Sequence, residues 1–182
     1  MATQLRTVTA DELLAMPEDG IRRELVEGEV REMSPAGERH ADAAQNINRS
    51  LDAHVYSRRL GRVRPEYGYV LESEPDTVRA PHVSFVRADR LSADGPVPGY
   101  YRGAPDLAIE VVSPNDRYSE VRAKVREYLS AGTPMVVVVD PEDRTVAVYR
   151  PGRDPRDLTE EDVLDGEDVV PGWKLPVRDI FA

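Results

Sequence analysis

The chain has 182 residues, 34 acids against 24 bases, a formal net charge of -10, 40% hydrophobic and 32% charged residues, and no cysteine. This length suits one domain with a sizeable core, and without cysteine there are no disulfides and no thiolate chemistry, so a metal would have to be held by carboxylate or histidine. No run approaches the roughly 20 apolar residues of a membrane span and the first residues lack a signal-peptide core, so a cytoplasmic protein is expected.

The acidic balance argues against nucleic-acid binding by bulk attraction. The excess is local, however. Between Asp154 and Asp168 there are eight acids against Arg156 alone, so net charge does not exclude a nucleic-acid substrate. The segment itself reads as a solvated loop.

In chain order, Thr9-Ala10-Asp11-Glu12 is a capping box that opens a short helix, closed by Pro17. Arg22 to Val26 and Glu29 to Met33 flank Glu27-Gly28 and read as a β-hairpin. After the break at Ser34-Pro35-Ala36-Gly37, the spacing of Ala44, Ile47, Leu51 and Val55 predicts an amphipathic helix from about His40 to Leu60. Arg58, Arg59, Arg62 and Arg64 gather at its end, either as a solvated face near the helix C-terminus or as a phosphate contact. Tyr67 to Leu71 and His82 to Val86 read as strands. Residues 92 to 104 form a Gly- and Pro-rich loop.

Ala104 to Pro114 is an apolar run bounded by proline, which reads as a buried strand. Alternation directs Leu107, Ile109 and Val111 to one face and Asp106, Ala108, Glu110 and Val112 to the other. Glu110 is therefore mid-strand, where a carboxylate is costly unless paired or holding a cation. Asp106 follows Pro105, a position where a carboxylate commonly serves a turn or cap. Ser113-Pro114-Asn115-Asp116 then stops the strand and is expected to cap a helix carrying Val121, Lys124, Val125, Tyr128 and Leu129, which ends at Gly132. Met135 to Val139 reads as a central strand, Asp140-Pro141-Glu142-Asp143 as a turn, and Thr145 to Tyr149 as a strand with one face toward water. Trp173, Leu175, Val177, Ile180 and Phe181 are expected to dock on the core.

Several ordered segments resemble the Uma-two family: Arg23 to Glu29, Met33 to Gly37 with His40, Asp106 to Arg117, Lys124 with Tyr128 and Ala131-Gly132, and Val139-Asp140-Pro141. The resemblance implies an α/β fold with a restriction-endonuclease-like mixed β-sheet core flanked by helices, preceded by the N-terminal helix and β-hairpin, in a single domain over residues 1 to 182. It also implies a metal-dependent DNA endonuclease of the PD-(D/E)xK superfamily that uses Mg²⁺ or Mn²⁺, with DNA as substrate and no membrane. A homodimer suits cleavage of two strands, although no residue marks an interface.

By the same resemblance, Glu110 is the second motif acid. The lysine expected two residues later is replaced by Val112, and its place falls to Lys124 in the following helix. Of 24 basic residues only Lys124 and Lys174 are lysines, which suggests a need for a compact ammonium; the alternative is a helix-surface lysine packed beside Tyr128. Glu24 matches an N-terminal acid that could reach the cluster, the alternative being a hairpin surface charge paired with Arg22 or Arg23. His40 reads as a packing or capping residue.

The departure from the pattern is Pro81-His82-Val83, with an imidazole where the family has its first acid. His82 would still be a ligand together with Glu110 and Glu24, with metal preference shifted away from Mg²⁺. Alternatively the site holds no metal, Glu110 pairs with His82 or Lys124, and the protein is a degenerate nuclease fold acting as a binding or assembly module.

Overall fold

A computed structural model describes residues 7–93, 95–96, 98–114 and 116–182; the leader expectation and the part of Asn115 in the cap lie outside these. The capping box forms as read. In α1 (Ala10–Leu14) the Thr9 side chain accepts from the Glu12 amide, and the Glu12 carboxylate accepts from the Thr9 amide. β1 (Arg22–Val26) and β2 (Glu29–Met33) make the antiparallel hairpin. Its two-residue turn has Glu27 at φ 48° and Gly28 at φ 77°, the pair of left-handed residues that matches strand twist. α2 (Glu38–Arg58) follows, burying Ala43, Ile47, Leu51 and Val55 along one stripe.

β3 (Gly61–Pro65), β4 (Tyr69–Glu72), β5 (Thr77–Arg79), β6 (Val83–Arg87), β7 (Tyr101–Arg102) and β8 (Leu107–Val111) come next. α3 (Tyr118–Ser130) leads to β9 (Met135–Asp140), β10 (Thr145–Tyr149), β11 (Arg156–Leu158), β12 (Val163–Asp165), β13 (Lys174–Pro176) and α4 (Val177–Ile180). Six strands differ from expectation: β3, β5, β7 and β13, and also β11 and β12, which form within the stretch read as a solvated loop because its chain pairs with β10 and β13. β3 takes Arg62 and Arg64 out of the helix end and onto a strand. β5 and β7 are too short for alternation to reveal. The cap differs too: Asp116 turns back to accept from the Ser113 amide at 2.8 Å, and the N-cap of α3 is Arg117, which makes no side-chain capping bond.

The fold is α/β with a restriction-endonuclease-like mixed sheet. Six strands lie in the order β11-β10-β9-β8-β6-β3. β8 and β9 run parallel, joined through α3, while the other neighbours are antiparallel. Parallel pairing requires such a crossover, and it buries both faces of the pair. α2 and the C-terminal segment cover one face, where Ile47, Leu51, Leu107, Ile109, Val111, Val137, Trp173 and Ile180 pack together. α3 covers the other, with Val125 and Tyr128 against Ala108, Val136 and Val138. A second sheet, β2-β1-β5-β4-β7, carries its own apolar cluster of Ala10, Leu13, Leu25, Val70 and Val78.

The acid-rich stretch is not a free negative strip. Glu160 pairs with Arg144, Glu167 with Arg150 and Arg156, Asp168 with Arg150, and Asp165 with Lys174. Among the described residues no helix is long and apolar enough to cross a membrane.

Candidate active site

Three elements and one connection deliver the predicted residues to one place. On β1, Leu25 points into the apolar cluster of its sheet, so its neighbour Glu24 points away from it, toward the segment after β5, and is 1% exposed. On β8, Ile109 and Val111 face α2, which leaves Glu110 facing α3. On α3, Lys124, Glu127 and Tyr128 share a face because they are three and four residues apart. His82 ends the Ala80-Pro81 connection just ahead of β6.

These groups are in contact. His82 Nδ1 lies 2.9 Å from Glu110 Oε2. Lys124 Nζ lies 3.1 Å from Glu24 Oε2 and 3.6 Å from Glu110 Oε2. Arg79 joins them: its Nη1 donates to Glu24 Oε2 at 2.8 Å, while Nε and Nη2 grip both oxygens of Glu127. The Ala80 amide donates to Glu24 Oε1 at 3.0 Å and the Tyr128 hydroxyl to Glu110 Oε1 at 2.9 Å.

Glu24 is thus neither exposed nor paired with Arg22 or Arg23, and the surface-charge alternative falls. Arg23 instead pairs with Asp19 and Glu32. Lys124 is likewise no surface lysine. Asp106 stands apart, accepting from the Arg87 amide at 2.9 Å and pairing with Arg90 at 2.9 Å, which is the structural role its position suggested. His40, read as a packing residue, stacks edge-on against His82 with ring centroids 4.4 Å apart, and among the described residues its buried Nδ1 has no partner. Arg79 and Glu127 escaped the sequence reading. Glu127 was findable from its spacing to Lys124; Arg79 was not, because β5 left no periodic signal.

The electrostatics follow from burial set against ion pairing. Burial favours a neutral Glu110, but Lys124, His82 and Arg22 outweigh it and hold the carboxyl below its usual range. Glu24 shows the same contest: burial and the Glu110 charge oppose ionisation, yet Lys124, Arg79 and the Ala80 amide win. Lys124 is desolvated too, and the two carboxylates still raise it above the ordinary amine value. Tyr128 is pushed well up by burial and then by Glu110, so it remains a donor. Burial, His82 and Arg22 hold His40 below the ordinary imidazole value.

His82 Nδ1 has two competing neighbours. The Val111 amide approaches it at 3.1 Å as a donor, and Glu110 Oε2 approaches as an acceptor. One ring nitrogen serves only one of these at a time, and an ionised Glu110 favours the tautomer that carries the proton on Nδ1.

For a divalent cation the donor types fit: two carboxylates and an imidazole make a hard-to-borderline set, and each carboxylate oxygen keeps lone-pair capacity beyond its present bonds. The arrangement is another matter. Among the described residues no group of three or more His, Asp or Glu side chains is assembled to hold a metal ion, and the Lys124 ammonium contacts both acids.

Comparison with known proteins finds likeness to a family and to solved structures. The family Uma2, described as "Putative restriction endonuclease", matches residues 10–178. A crystal structure of a "putative nuclease belonging to DUF820" from Anabaena variabilis superposes with a TM-score of 0.84 at 24% identity, covering 96% of this chain and 97% of that one. None of the curated proteins compared matches the chain.

Proposed function

This chain belongs to the Uma2 family, and from that premise we propose that it is an endonuclease hydrolysing phosphodiester bonds of DNA in the cytoplasm with a divalent metal, Mg²⁺ or Mn²⁺. The observation that carries the reading is the convergence of Glu24, His82, Glu110 and Lys124, from three elements and the connection before β6, on one cluster with contacts of 2.9 to 3.6 Å. Buried charge of this density is expensive to assemble for stability alone, and perturbed ionisable groups gather where chemistry is done.

In this reading Glu110, Glu24 and His82 are the residues that would have to draw together to hold the metal, which when bound would lower the pKa of water and neutralise charge on the phosphoryl oxygens. The chain's own groups do the rest. Lys124 orients the attacking water and offsets the developing charge. Tyr128 fixes the Glu110 carboxylate through Oε1, and Arg79 with the Ala80 amide fixes Glu24. His82 turns a nitrogen toward the position of the family's first acid, which favours Mn²⁺ over Mg²⁺. Cutting both strands takes two sites, which a homodimer would supply.

The test is incubation of the purified protein with supercoiled plasmid in Mg²⁺ or Mn²⁺. Nicking is expected, and Glu110→Ala should remove it. No nicking with either ion, or undiminished nicking by Glu110→Ala, sinks the catalytic reading.

A second reading has its own observation. Lys124 already contacts both acids, Arg79 pairs with Glu24, and His82 stands against Glu110, which is the closed ionic knot of a non-catalytic module. Cleavage that emerges only after His82→Asp would favour it.

A further inference from the structure

A divalent cation shared by two carboxylates stands between them and offsets both charges. In this chain a side chain stands there. Lys124 Nζ is 3.1 Å from Glu24 Oε2, 3.3 Å from Glu24 Oε1 and 3.6 Å from Glu110 Oε2. It is a compact point charge on a flexible stem, reaching in from α3 with 13% of its side chain exposed, against 1% and 6% for the two acids.

Each of the other partners contacts only one of the two acids. Arg79 and the Ala80 amide bind Glu24. Tyr128 takes the Glu110 oxygen that Lys124 does not touch, and His82 shares the one it does. Lys124 is therefore the only group among the described residues in contact with both acids. Taking it away leaves two buried carboxylates facing one another without a shared cation, which is costly unless another cation enters.

We propose that Lys124 is an internal counter-cation that competes with the divalent metal for Glu24 and Glu110, so that metal entry requires its ammonium to leave the space between them. The inference rests on the metal reading above. It adds that metal affinity in the native chain is set by this competition. The ammonium keeps the acids folded and close together until the metal arrives, and once displaced it is free to meet the anionic substrate. Lys124 thereby acts before any chemistry, by opposing the metal that it later works beside.

The experiment is calorimetric titration of Mn²⁺ into the full chain and into Lys124→Gln and Lys124→Ala, with thermal midpoints measured in the presence and absence of Mn²⁺. Both variants should bind Mn²⁺ at least tenfold more tightly than the native chain. Their midpoints, lowered in metal-free buffer, should rise with Mn²⁺ far more than the native midpoint does. Adding Glu110→Gln to Lys124→Gln should cancel the gain, which locates the ion. Should the variants not fold in buffer, Mn²⁺-dependent recovery of their circular dichroism is the equivalent result, and absence of recovery overturns the proposal. Equal Mn²⁺ affinity in native and variant chains overturns it while leaving the metal reading intact. Binding by none of them overturns both.

Discussion

Tyr128 donates its phenolic hydrogen to Glu110 across 2.9 Å, from the helix layer into the sheet layer, with both residues buried. Phenylalanine at 128 keeps the ring and removes only the donor, so no cavity complicates the result. A hydrogen bond to a charged group contributes about 1.5–3 kcal/mol, and Tyr128→Phe is expected to lose that much stability in urea denaturation. Nicking should slow as well, because the Glu110 carboxylate then loses the anchor on Oε1 and is held through Oε2 alone.

Arg79 is the hinge between two acids that only the fold brings together. Arg79→Met leaves Glu24 short of a partner and Glu127 without the guanidinium that grips both its oxygens. Breaking a buried pair in this way costs about 3–5 kcal/mol. Arg79→Lys should recover less than half of the loss, since an ammonium lacks the planar fork that serves both carboxylates at once. Denaturation midpoints of the two variants decide it.

The cluster also sets a pH profile. Glu24 and Glu110 are held below the ordinary glutamate value of 4.5, so the unfolded chain binds more protons in acid. Their contribution is therefore complete above that value and lost as pH falls through the lowered folded values. Lys124 is held above 10.5, so its contribution is complete below 10.5 and lost as pH rises past its folded value. Between these limits His40, held below the ordinary imidazole value of 6.5, adds a loss of stability as pH falls through that value, and stability should run flat from above it to 10.5. Glu110→Gln should lose part of the acid limb, and an acid limb as steep as the native one would contradict the pairing described here.

His82→Asp would place a second carboxylate where Nδ1 now lies 2.9 Å from Glu110 Oε2. In metal-free buffer the like charges repel, and the thermal midpoint should fall. Mg²⁺ should restore it, and nicking with Mg²⁺ should rise at least tenfold over the native chain, because a hard oxygen donor replaces the imidazole nitrogen. A His82→Asp variant indifferent to Mg²⁺ would remove position 82 from the metal site.

Local periodicity carried much of the architecture. The stripe of α2, the face of α3 and the runs of β8 and β9 all repeat at helix or strand spacing, and each folded as that spacing dictates. Glu110 could be picked out because a lone acid inside an apolar run needs a partner wherever the strand ends up. Lys124 could be picked out because lysine is so scarce in this chain. Neither observation says what the two residues touch.

The contacts themselves came from pairings that no window of sequence contains. Glu24 reaches the cluster because β1 lies beside β5, a strand of three residues with no pattern of its own. Arg79 arrives with the same strand. His82 meets Glu110 because Val83 is in register with Ile109. Apolar spacing assigns each residue to a face of its own element, since burial depends only on which side is dry. Which charge meets which across 55 to 100 residues of chain depends on strand order and register, and those emerge only when the sheets and α3 are packed together.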